Sequence, residues 1–183
     1  MEKSVAHVAL FAAVIAVLGL LPKISLGFGV PITAQTLGVM LCGTILGARR
    51  GAMAILLLLL IVALGLPVLA GARGGLGVFV GPTAGFLVGW VPAAFVTGLI
   101  MEKWRGAPVA LVASVASIIG GILVLYAFGA AGMAIVLNKS LPEAAALTLA
   151  FVPGDIVKAI VAGLLTSGLA RARPSSLLSR NSA

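Results

Sequence analysis

Charge is scarce in this sequence: twelve Lys and Arg and four Asp and Glu make up 9% of 183 residues, against roughly a quarter in a soluble domain. A chain so poor in charge cannot cover a globular surface with solvated groups, which excludes an ordinary soluble fold. There is one cysteine, Cys42, inside an apolar run. No intrachain disulfide is possible, and the residue says nothing about redox compartment. Histidine is single too, and around His7 no carboxylate or cysteine stands at metal-ligand spacing, so no metal site is expected. No Gly-x-x-x-x-Gly-Lys-Ser/Thr occurs, and the glycines between Gly71 and Gly89 open no βαβ unit. ATP binding by this chain is therefore excluded. No nucleophile, base and orienter set marks a membrane-embedded enzyme either. The formal net charge of +8 does not point to nucleic acid. The cations stand singly or in pairs at the ends of apolar segments, with no basic stripe and no interleaved aromatics.

What fills the chain instead is hydrocarbon: 62% of residues are hydrophobic and the mean hydropathy is +1.28. The apolar runs are continuous, which predicts helices and not the alternating strands of an outer-membrane barrel. Charged residues, Gly and Pro cut the sequence into six apolar segments of about 5–21, 33–46, 52–69, 82–101, 107–128 and 153–170. The expectation is a single all-α integral membrane domain of six transmembrane helices over residues 1–183. The first run lacks an A-x-A cleavage site and reads as an uncleaved span. The second is short, and the third ends in Gly65-Leu66-Pro67, so both can be broken or tilted. The stretch 129–152, interrupted by Asn138, Lys139, Pro142 and Glu143, reads as a long connection with some helical content. Residues 171–183 read as a disordered tail. With both termini in the cytoplasm, Lys3, Arg49, Arg50, Lys103, Arg105, Arg171, Arg173 and Arg180 fall inside, and Lys23, Arg73 and Lys139 outside. Eight against three favours N-in, C-in.

Two ionisable residues lie within a span: Asp155 and Lys158, in Pro153-Gly154-Asp155-Ile156-Val157-Lys158. Three residues apart, they share a helical face. A lysine at membrane depth costs about 2.5–3.5 kcal/mol on insertion scales, so it must face protein or water. Either the pair holds a polar ligand, with the ammonium on a carboxylate and Asp155 accepting N–H donors, or it is an ion pair near the interface with Lys158 snorkelling outward. The run from Gly71 to Trp90 combines a packing stripe, Gly81-xxx-Gly85-xxx-Gly89, with a preceding loop in which Arg73, Gly75 and Gly77 can line a site. Arg73 can meet a carboxylate or sit in water. In Val30-Pro31-Ile32-Thr33-Ala34-Gln35-Thr36, Gln35 can bind a ligand or bridge helices. Small residues recur at four-residue spacing in the first span, Ala9 with Ala13 and Ala12 with Ala16, which suits close helix contact within the chain or with another. Trp90, Trp104 and Tyr126 suit interface anchoring or packing.

Taken together, Val30-Pro31-Ile32-Thr33-Ala34-Gln35-Thr36, the glycine run leading to Gly81-Pro82-Thr83-Ala84-Gly85-Phe86, and Pro153-Gly154-Asp155-Ile156-Val157-Lys158 resemble the BioY family. Its members are the biotin-specific substrate-binding S-components of energy-coupling factor transporters. The resemblance runs from about residue 5 to 170 and implies a six-helix S-component bundle in the prokaryotic cell membrane. It implies biotin as transported substrate, no cofactor, and a pocket near the outer face containing Asp155 and Lys158. It further implies a transmembrane coupling subunit, contacted through the small residues of the first span (Ala9, Ala13), and two cytoplasmic ATPases. The alternatives are an S-component for another vitamin on the same fold, and a membrane assembly subunit that binds nothing.

Overall fold

The structure, a computed structural model, describes residues 2–25, 27 and 29–181, with side chains from residue 4 onward. The side chain of Lys3, one of the cations assigned to the inner side, lies outside the described residues. The fold is all-helical. Among the described residues the only β-type pairings are two single bridges in loops, Ile24 with Ile32 and Leu69 with Arg73.

The helices are α1 (Glu2–Leu18), α2 (Gln35–Leu46), α3 (Ala48–Ala63), α4 (Ala84–Lys103), α5 (Val109–Val136), α6 (Leu141–Thr148), α7 (Val152–Ala172) and α8 (Leu178–Asn181). Through a 3-10 turn at Leu149–Phe151, α6 and α7 join into one helical run, Leu141–Ala172. That run, α4 and α5 are each long and apolar enough to cross a membrane; at 1.5 Å per residue the 28 residues of α5 reach about 42 Å. Two helices carry π turns, α2 at Cys42–Leu46 and α5 at Ile119–Val124. Both turns pack on α4, the hub of the bundle, which also meets α3. α7 runs along the first half of α5 and across α2.

Glycine makes the close approaches. A Cβ on Gly85 would stand 2.4 Å from the Phe128 carbonyl oxygen and 2.8 Å from the Gly132 Cα. α4 and α5 therefore touch backbone to backbone, as the small-residue stripe anticipates. α2 and α3 are separated by Gly47 alone, at φ +87°, a conformation that costs glycine little. The amide of Ala48, first in α3, is bonded at 2.8 Å by the Glu102 carboxylate of α4. A negative charge on a helix N-terminus is favourable there.

Two expectations are corrected. Residues 129–152 are not a long connection, because α5 continues to Val136 and only residues 137–140 lack helix before α6. The polar residues that suggested an interruption are helix punctuation. Asn138 takes positive φ, Pro142 sits in the first turn, and Ser140 with Glu143 forms a capping box. The tail is not disordered either. Leu177 is buried in the main core, and the buried Ser179 donates from Oγ to the Thr44 carbonyl at 2.6 Å. The last turn of α2 leaves carbonyls without intrahelical partners, and the tail supplies one. The sequence hid this because Leu177 and Leu178 lie among Arg, Pro and Ser.

Leu177→Ala should cost about 2–5 kcal/mol of stability, as other buried Leu truncations do. Thermal unfolding in detergent reads this directly, and an unchanged midpoint would return the tail to a disordered extension.

Candidate binding site

The site is built where α2 begins late. Residues 30–34 run non-helically into α2, which leaves the Thr33 carbonyl outside the helical ladder and turned to α7. Lys158, in the second turn of α7, donates from Nζ to this carbonyl at 2.6 Å, to Thr36 Oγ1 at 2.8 Å and to Asp155 Oδ1 at 2.7 Å. All three ammonium protons are thus engaged. Asp155 is 3% exposed. Its Oδ1 also accepts from Thr36 at 3.2 Å, and its Oδ2 accepts from the Tyr126 hydroxyl of α5 at 2.7 Å. This is the one ion pair among the described residues, and it ties α2, α5 and α7 together. Lys158 points inward to protein, so the snorkelling alternative is not what the geometry shows.

Beside the pair lies a small cavity that opens to the surface. Its walls are mostly apolar. Phe86, Tyr126 and Phe151 meet edge to face with centroids 5.7–6.4 Å apart, and Trp90, Leu69 and Leu87 continue the lining. Polar groups enter from the hydrogen-bonded cluster of Thr33, Thr36, Asp155 and Lys158, and separately from Arg73. An apolar chamber with a few convergent polar groups fits a small, mainly hydrophobic molecule with a polar head.

Of the residues singled out in the sequence, Asp155, Lys158, Arg73 and Gln35 all border this cavity. Gln35 is 2% exposed. It spends both amide protons on the Ile15 and Val68 carbonyls, each at 3.2 Å, and accepts from the Ala70 amide at 3.0 Å. Its first role is to bridge α1 to the loop between α3 and α4. Arg73 stands in that loop, with Nε on the Ala70 carbonyl at 3.2 Å. Gly75, at φ +79°, and Gly77, in the 3-10 turn Leu76–Phe79, shape the loop without lining the cavity. On α1, Ala12 is buried while Ala9 and Ala13 are exposed. The two small-residue stripes thus divide, one toward the core and one outward.

Sequence reasoning missed Tyr126 as an Asp155 ligand and Phe151 as a wall. Tyr126 is the single tyrosine of the chain, in an otherwise apolar helix, and a buried phenol needs a hydrogen-bond partner. That was the available signal, although it names no partner.

Set against known proteins, residues 2–175 match the BioY family model. The chain is 56% identical to "Biotin transporter BioY" of Rhodobacter capsulatus, over 98% of this chain and 100% of that one. It is 42% identical to "Probable biotin transporter BioY" of Bacillus subtilis, over 91% and 89%. Among solved structures it superposes with a TM-score of 0.87 at 30% identity, covering 93% of this chain and 92% of the other, on the S-component for biotin from an ECF-type ABC transporter.

Removing one charge of the pair leaves the other uncompensated in a buried setting. Lys158→Met should cost about 3 kcal/mol, and adding Asp155→Asn should restore part of it. Thermal melts of the single and double variants decide: a double variant no more stable than Lys158→Met would mean that the two charges are not coupled.

Proposed function

The chain belongs to the BioY family, and we propose that it is the biotin-capture subunit of a vitamin uptake transporter, binding its substrate in the cavity beside Asp155 and Lys158. The observation that carries the reading is the inward-facing pair at the polar end of an aromatic-walled chamber. Biotin has a ureido ring whose N–H groups suit a carboxylate acceptor, an apolar bicyclic body that suits Phe86, Trp90, Tyr126 and Phe151, and an anionic tail that suits a cation. Asp155 then takes the ureido donors and the aromatic walls take the body. Lys158 donates to the ligand by giving up the Thr33 carbonyl or the Thr36 hydroxyl. Arg73 meets the carboxylate at the mouth, while Gln35, Gly75 and Gly77 hold the loop that carries it. Because the pair is already satisfied within the protein, a ligand must match its hydrogen bonds to compete, and this favours selectivity.

Six membrane crossings follow if α1, α2, α3, α4, α5 and the α6–α7 run each traverse the bilayer. The cation count supports both termini on the cytoplasmic side and the cavity on the outer side, and the family supports a prokaryotic cell membrane as the setting. The chain has no nucleotide-binding motif, so energy comes from partners: two cytoplasmic ATPases joined through a transmembrane coupling subunit. The exposed Ala9 and Ala13 stripe of α1 is the surface for that subunit, where small side chains let a second helix approach closely.

Purified protein should bind labelled biotin saturably, with unlabelled biotin competing and thiamine and riboflavin failing to compete. Asp155→Asn and Lys158→Ala should each weaken binding roughly ten- to hundredfold, a loss of about 1.4–2.8 kcal/mol, with membrane insertion intact. Competition by another vitamin in place of biotin would reassign the substrate on the same fold. A cytoplasm-dependent reporter fused after the last residue should be active; silence there would reverse the topology.

A further inference from the structure

We propose that Lys23, in the loop between α1 and α2, pairs with Arg73 to form a cationic vestibule that draws anionic ligands into the cavity and admits them in preference to neutral analogues. The inference rests on the binding reading above and adds a residue to it. A second opening adjoins the cavity and shares Pro31 and Arg73 with it; its remaining walls are Lys23, Ser25 and Gly29. Lys23 reaches across from its own loop to lie over Gly71 of the α3–α4 loop, so closely that a Cβ there would collide with Nζ. Gly71 stands at φ +79°, so its backbone favours glycine independently of the lysine. Two loops from different parts of the chain therefore bring two cations to one rim.

Among the described residues no acidic side chain is paired with them. The chain holds four Asp and Glu residues in all. Asp155 is paired with Lys158, Glu102 caps α3, and Glu143 accepts from the Ser140 amide at 2.8 Å and hydroxyl at 2.7 Å. Glu2 starts α1, whose other end leads to Lys23. Two like charges on one wall repel, and the outer side has only Lys23, Arg73 and Lys139 to place. Setting two of these three at the entrance of the cavity disfavours the empty entrance and favours an arriving carboxylate. Cations at a rim act on the encounter rate and its salt dependence more than on the lifetime of the complex.

Lys23→Met retains the aliphatic stem and removes the charge. Stopped-flow tryptophan fluorescence, with Trp90 in the cavity wall, follows association of biotin and of its neutral amide at several salt concentrations. For biotin, the association rate should fall roughly three- to tenfold and its salt dependence should flatten. For the amide, wild type and variant should agree, and Lys23→Arg should keep wild-type behaviour with both ligands. Unchanged biotin kinetics in Lys23→Met, or equal losses for biotin and the amide, would overturn the vestibule while leaving the binding site standing. Wild-type protein that binds no biotin would remove the binding reading, and the vestibule with it.

Discussion

A lysine ammonium held inside a membrane protein needs three acceptors and a counter-charge, and much of this structure answers that need. Thr33, Thr36 and Asp155 take the three protons of Lys158, and Tyr126 takes the remaining side of the carboxylate. One of those acceptors is a main-chain carbonyl. It is free only because residues 30–34 stay out of the helix, so the late start and short length of α2 follow from the same requirement. Irregular backbone at membrane depth is tolerated where protein or a cavity covers it; here it forms one wall of the chamber.

The rest of the bundle holds that arrangement in place through contacts that depend on small size. Gly85 and Gly132 let α4 and α5 touch, which fixes Phe86 and Tyr126 in neighbouring positions on the chamber wall. Gln35 ties α1 to the α3–α4 loop that carries Arg73. Elsewhere in the bundle Glu102 caps α3 and Ser179 caps the end of α2.

A cavity of this lining suits a subunit that captures a small substrate. The proposed ligand combines N–H donors, an apolar body and an anion, and the lining of the cavity combines a carboxylate, aromatic rings and cations. Outside, α1 presents Ala9 and Ala13 away from the core, a face that no helix among the described residues covers.

Apolar run length and the placement of lone cations were enough to foresee an all-helical membrane protein, because lipid permits few alternatives to the helix. The spacing of Asp155 and Lys158 was enough to mark them as a pair on one face, because helical geometry is local. Local signals failed where a polar residue had two meanings. Asn138, Pro142 and Glu143 read as an interruption and are a turn and a capping box; the serine and arginines after Ala172 read as a tail and surround a buried Leu177. The partners of the pair were not legible at all. That Tyr126 reaches Asp155 across 29 residues, that Thr33 and Thr36 reach Lys158 across more than a hundred, and that Lys23 lies over Gly71 are results of helix packing. Hydropathy along the chain is enough to mark the groups that cannot be left in lipid; what satisfies them follows from packing, because those partners lie on other helices and loops.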